Sequence, residues 1–230
     1  MRKHQIPWPV IVDSDRSFER ASDVGEISLN NIWQARVITA NGDFVRASAS
    51  DLDQAAARAL QGAKWNVDPA SMTPVLQKAW QQIEFGNYPP AASTVKRYAR
   101  SRKPAVKAAA ATLNDYVQEK ITAQVETAAA ADSAGESWKA FKTLKGVQQQ
   151  FKGYEIPPSV DADVTRLEKK EDVLRQQAAY KKFELARKAA NSGSTSARQR
   201  AFRLLEQLIE DFPGTDAASE AMSILTTTSN

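Results

Sequence analysis

The chain has 230 residues, 42% of them hydrophobic and 25% charged, with a net charge of +4. That balance allows a buried core, and no apolar run approaches the roughly 20 residues needed to cross a bilayer. Cysteine is absent, which excludes disulfides, thiolate nucleophiles, zinc–thiolate sites and iron–sulfur clusters built from these residues.

The N-terminal run MRKHQIPWPVIVDSD is too short in its apolar part, and too interrupted by proline, to read as a signal peptide. The lone histidine, His4, has no second His or Cys to share a metal and reads as an exposed polar residue. Val10-Ile11-Val12 is a β-branched run closed by Asp13-Ser14-Asp15, the pattern of a buried strand meeting a turn. Counted from Asp13, a calcium loop would need Gly at Phe18 and Glu at Val24, so that motif fails. Ser14 or Asp15 instead caps an expected helix over Ser17–Val24. Ala35-Arg36-Val37-Ile38-Thr39 predicts a second strand, Asn41-Gly42 a two-residue turn, and Phe44-Val45-Arg46 the antiparallel return. Ser48-x-x-Asp51 is a cap-like opening for a helix with the stripe Leu52, Ala55, Ala56, Ala59 and Leu60, stopped near Gly62.

The order strand, helix, hairpin, helix over Pro9–Leu60 resembles the C-terminal part of a thioredoxin-like (redoxin) domain. Pro9-Val10-Ile11-Val12-Asp13-Ser14-Asp15 is similar to the strand entering the crossover helix, and Val37–Val45 is similar to the hairpin. The resemblance implies a Cys-x-x-Cys or a peroxidatic Cys, and this chain has neither. It also implies a cis-proline just before the hairpin, near Gln34, where no proline stands between Pro9 and Pro69. Thiol chemistry requires a thiolate, so these residues alone cannot supply it. The family's central first strand has no counterpart here. Its place would be filled by residues upstream in a longer gene product, by a neighbouring chain, or by direct pairing of the three strands.

From Ala63 the pattern turns helical. Thr73-Pro74 opens a helix with Val75, Ala79, Trp80 and Ile83 as its stripe to Phe85. Gly86-Asn87-Tyr88-Pro89-Pro90 reads as a turn, and Ala91–Arg100 as the return helix. The set Trp80, Gly86, Tyr88 and Ala91 resembles the helical hairpins of tetratricopeptide repeats. Pro104–Ala130 has the stripe Val106, Ala109, Ala110, Leu113, Tyr116, Val117 and Ile121. Ser133-x-x-Glu136 predicts a capping box for a helix carrying Trp138, Phe141, Leu144 and Val147, ended by Lys152-Gly153. Val160–Ala190 reads as one long helix. Asn191–Ser194 breaks it, Ala197–Asp211 forms another, and Phe212-Pro213-Gly214-Thr215 turns into a last short one. Phe212-Pro213-Gly214-Thr215-x-Ala217-Ala218 is similar to turns in tetratricopeptide-like helical repeats, which implies helix pairs stacked in sequence; a plain bundle is the competing arrangement.

No nucleophile elbow and no phosphate loop occurs. Asp13 and Asp15 read as caps, and the five tryptophans as core. The densest basic run is Lys96, Arg97, Arg100, Arg102, Lys103 and Lys107, with no acid between Glu84 and Asp115. It offers a contact for a polyanion or a partner, although Tyr98 is its sole interleaved aromatic, too few for base stacking. A second basic group, Lys181, Lys182, Arg187, Lys188, Arg198, Arg200 and Arg203, flanks Gly193.

The expected architecture is α+β: a partial thioredoxin-like β-α-β-β-α module over residues 5–65, then an all-α array of tetratricopeptide-like hairpins over residues 70–228. The expected function is a non-catalytic scaffold or protein-interaction module, with no cofactor and no metal. Its partner would be another protein or a second copy, met through an open sheet edge or the helical array, rather than nucleic acid. A redoxin whose cysteines lie upstream, and a polyanion-binding helical protein, are the alternatives. Thioredoxin-like modules joined to helical repeats resemble bacterial envelope proteins, but the residues leave the compartment open.

Overall fold

The structure is a computed structural model, and it describes residues 22–24, 35–48, 50–190 and 194–228. The chain is mostly helical α+β and divides into two compact units, residues 1–65 and 66–230. The expected strand Val10–Val12, His4, Asp13 and Asp15 lie outside the described residues.

In the first unit, β1 (Ala35–Ile38) pairs antiparallel with β2 (Phe44–Ala47), Ile38 opposite Phe44. The loop is one residue longer than the expected two-residue turn. Gly42 N–H donates to the Thr39 carbonyl (3.0 Å) and Thr39 N–H to the Asp43 carbonyl (2.9 Å), so Ala40, Asn41 and Gly42 form a three-residue connection. Gly42 takes φ 89°, the left-handed position such a loop requires at its end. Register sets Arg36 directly opposite Arg46. Like charges facing across a hairpin repel. The turn at Ser22-Asp23 offsets this: Arg36 donates to the carbonyls of Ser22 (2.8 Å) and Asp23 (2.5 Å), and Arg46 pairs with the Asp23 carboxylate. The expected helix Ser17–Val24 is thus corrected at its end, because residues 22–23 form a turn in which Asp23 adopts φ 52°; the rest of it lies outside the described residues. Helix α1 (Leu52–Ala59) follows. Its opening uses half of a capping box: the Asp51 carboxylate accepts from Ser48 N–H (2.6 Å) and from the Ser48 hydroxyl (2.8 Å), which lowers its pKa. Of the expected stripe only Ala55 and Ala59 are buried, while Leu52 and Leu60 are exposed.

The second unit carries α2 (Gln77–Glu84), α3 (Tyr88–Ala99), α4 (Pro104–Ser133), α5 (Ser137–Gln150), α6 (Ser159–Leu167), α7 (Glu171–Ala190), α8 (Thr195–Asp211) and α9 (Asp216–Thr228). Most pack on the next in sequence, as short connections between helices favour; the exception is α6, which packs on α5 and not on α7, and α7 also reaches back to α5. Before α2, residues 66–72 are pinned to it. Trp80 Nε1–H donates to the Val67 carbonyl (2.8 Å), and the Glu84 carboxylate accepts from Asn66 N–H (2.9 Å). The expected stripe shifts by one residue here. Leu76 is fully buried and Val75 is 49% exposed, because Leu76 stands 3, 4 and 7 positions from Ala79, Trp80 and Ile83, at the centre of that face, and Val75 lies about 100° to one side of it. Helix α3 begins at Tyr88 and takes Pro89 and Pro90 into its first turn. Proline costs nothing there, since those N–H groups have no acceptor within the helix.

Two further expectations are corrected. Ser133 is the last residue of α4 rather than a cap for α5. Glu136 N–H donates to the Ala131 carbonyl (2.9 Å), closing the end of α4, and the Glu136 carboxylate pairs with Lys139 instead. The stretch Val160–Ala190 is two helices, interrupted at Glu168-Lys169-Lys170. Val164 and Val173 belong to the same core. Nine positions of unbroken helix, at about 100° each, would set them on opposite faces. The break restores both to the core.

Two clusters result. Residues from Val67 to Val173, including Leu76, Ile83, Leu113, Phe151 and Leu167, form one. Ala179, Phe183, Ala186, Leu205, Leu208, Ala217 and Ala221 form the other. Helix α7 contributes to both.

A charged tie holds the break in place. The Asp132 carboxylate near the end of α4 accepts from Arg166 (2.7 Å) and Lys170 (2.9 Å), and Lys170 also donates to the buried Ser137 hydroxyl (2.9 Å). Lys170 and then Arg166 hold the Asp132 carboxyl below its ordinary 3.8. A lowered folded value stabilises the fold above the unfolded pKa, and that stabilisation is lost as pH falls through the folded one. Asp132→Asn should therefore cost about 1 kcal/mol at neutral pH. The difference from wild type should shrink as pH drops below 3.8. Urea unfolding of both chains across pH 2.5–7 reads this out directly.

Candidate functional site

The six residues of the basic run come together at one corner of the second unit. Lys96 and Arg97 lie in the last turn of α3, Arg100 is its C-cap, Arg102 and Lys103 are in the connection, and Lys107 is in the first turn of α4. The corner is tight: Ser101 N–H donates to the Tyr98 carbonyl (3.0 Å), and Lys103 N–H to the Ser101 hydroxyl (3.2 Å). All six side chains are exposed. None lies within ion-pairing distance of a carboxylate among the described residues.

The helix dipoles divide the six into two groups. Lys96, Arg97 and Arg100 stand at the carboxyl end of α3, where partial negative charge favours cations. Arg102, Lys103 and Lys107 stand at the amino end of α4, where partial positive charge disfavours them. No acid occupies that first turn to compensate. Local folding thus accounts for the first three cations and works against the second three. The Arg97 guanidinium covers the Tyr98 ring at 4.7 Å, leaving less of that ring for a base to stack on.

The second basic group is partly neutralised. Lys182 pairs with Asp211, and Arg187 with Glu184. Among the described residues no group of three or more His, Cys, Asp or Glu could hold a metal ion, and no helix is long and apolar enough to cross a membrane.

A cluster that sequence spacing does not announce sits between α5, α7 and α9. Trp138 Nε1–H donates to the Asp216 carboxylate (3.0 Å), 78 positions away, and Lys142 pairs with the same group (2.6 Å) while lying over the indole at 5.3 Å. Lys142, with help from Trp138, holds the Asp216 carboxyl below the usual aspartate range. The Trp138 ring lies 5.8 Å from Phe141 and 5.7 Å from Tyr180, and the Tyr180 hydroxyl donates to Glu220 (2.8 Å). Trp138 is half-buried rather than core. Its separation from Asp216 left no local signal.

Comparison with protein-family models, with curated proteins and with solved structures found no match.

Proposed function

We propose that this chain is a non-catalytic binding protein whose helical unit engages an acidic partner protein at the α3–α4 corner. The observation that carries the proposal is the placement of Arg102, Lys103 and Lys107: exposed, unpaired among the described residues, and at the helix end where cations are disfavoured. Cations kept against the local field are explained by an anion that the isolated chain does not contain. An acidic polypeptide is favoured over nucleic acid, because the corner has one aromatic ring and Arg97 covers it. The helical hairpins are taken as tetratricopeptide-like in kind, supported by the packing of sequence neighbours in every pair from α2 to α9 except α6 with α7. The first unit is taken as a thioredoxin-like module without redox chemistry. The β1–β2 hairpin followed by α1 supports that reading, and the absence of cysteine leaves these residues no thiolate.

Fluorescence anisotropy with labelled poly-L-glutamate tests the proposal. Wild type should bind, and its affinity should fall steeply between about 50 and 200 mM salt. The variant Arg102→Ala/Lys103→Ala/Lys107→Ala should bind about tenfold more weakly with a shallower salt dependence, and because the three are exposed it should fold normally. Equal binding by the two chains, or none by wild type at low salt, would overturn the assignment. Tighter binding to oligothymidylate of matched charge would replace the acidic protein with a nucleic acid.

A further inference from the structure

A groove of about 500 Å³ opens along α7, lined by Trp138, Tyr180, Lys181, Leu185 and Lys188 among others, with an apolar floor. Helix α7 buries Ala179, Phe183 and Ala186 in the second core, yet Leu185 on another face is 58% exposed. Lys181, Leu185 and Lys188 are spaced 4 and 3 apart and share that face. The two lysines stand about 10 Å from each other along the helix axis, with the leucine between them. The one acid on the lining, Glu184, is engaged by Arg187 at 2.8 Å. Lys181 and Lys188 themselves have no carboxylate within ion-pairing distance among the described residues. Trp138 is held in place by Asp216, Lys142 and its ring neighbours. A rigid aromatic beside an exposed leucine is the kind of anchor on which interface energy concentrates.

We propose that this groove receives an amphipathic helix of a partner protein, its apolar stripe on Trp138 and Leu185 and two acidic residues seven positions apart on Lys181 and Lys188. Charge complementarity selects this occupant. The groove presents positive, apolar, positive along one line, and a helix with acid, leucine and acid at heptad spacing presents the inverse over the same length. The site is separate from the α3–α4 corner and stands whether or not an acidic partner binds there.

The probe is a labelled synthetic amphipathic helix of about 18 residues, with leucines at 3–4 spacing and two glutamates seven apart, read by anisotropy on the full chain. Wild type should bind it. Leu185→Asp should weaken binding about tenfold or more; Leu185 is exposed, so thermal unfolding should shift only slightly. Lys181→Glu/Lys188→Glu should lose the glutamate peptide and gain the same peptide with lysines in those two places. The triple alanine variant of the corner should bind as wild type does. The proposal is overturned if wild type fails to bind, if Leu185→Asp binds equally well, if the charge swap does not exchange the preferred peptide, or if the corner variant loses binding.

Discussion

Phe151→Ala should unfold at markedly lower denaturant than wild type, with a loss of about 3–5 kcal/mol. Phe151 follows the last turn of α5 and is fully buried, and its ring lies 4.7 Å from that of Tyr88 at the start of α3. Removing the ring deletes apolar area and leaves a cavity that α3 and α5, each fixed by its own neighbours, can close only in part. The aromatic pair adds roughly 0.5–1.5 kcal/mol beyond area. Against a total of about 5–15 kcal/mol for a folded domain, this is a large share. Phe151→Leu should recover most of it, because it refills volume without restoring the ring pair. Urea unfolding of the three chains provides the comparison. A midpoint for Phe151→Ala within error of wild type would contradict the packing of this ring in the core.

Gly153→Ala should destabilise by about 2–3 kcal/mol, from two separable sources. Gly153 takes φ 97°, a region that side chains make costly. A Cβ built on it would also lie 2.9 Å from the Ala92 Cβ on α3, closer than two methyl groups approach. A double-mutant cycle separates the sources. Ala92→Gly removes the methyl that would be struck, at a helix-interior cost of about 1 kcal/mol. In the Ala92→Gly background, Gly153→Ala should cost less than in wild type, and the remainder is the backbone contribution. Identical costs in both backgrounds would show that the α3 contact is not made.

How much of this was legible beforehand can be judged residue by residue. The stripe of α4 was legible. Ala109, Ala110, Leu113, Val117 and Ile121 stand at helical spacing and are buried, while Val106 and Tyr116 of the same stripe are half-buried against the core, because a helix packed along one side needs one apolar face. The hairpin was legible as strands and turn, while its loop length depended on how Thr39 and Asp43 paired. Val75 and Leu76 were ambiguous locally: either could have faced inward, and Leu76, at 4 and 7 positions from Trp80 and Ile83, is the one that does. The break at residues 168–170 was hidden, since Glu168-Lys169-Lys170-Glu171 is acceptable inside a helix. Only the need to bring Val164 and Val173 into one core requires it. The six corner cations were legible as a run. The helix start at Pro104, which sets three of them against a helix dipole, was legible too, and the structure keeps it.

Readable from the residues alone were their lack of any thiolate, the helical character from Ala63 on, and most inward faces. Those follow from residue type and short-range period, which act within a few positions of the chain. Tertiary structure decided the pairing of Asp132 with Lys170, of Trp138 with Asp216, and of Gly153 with Ala92. Each joins residues 38 to 78 positions apart. Contacts of that range depend on how helices stack, and helix stacking is selected by the fit of whole surfaces rather than by local spacing.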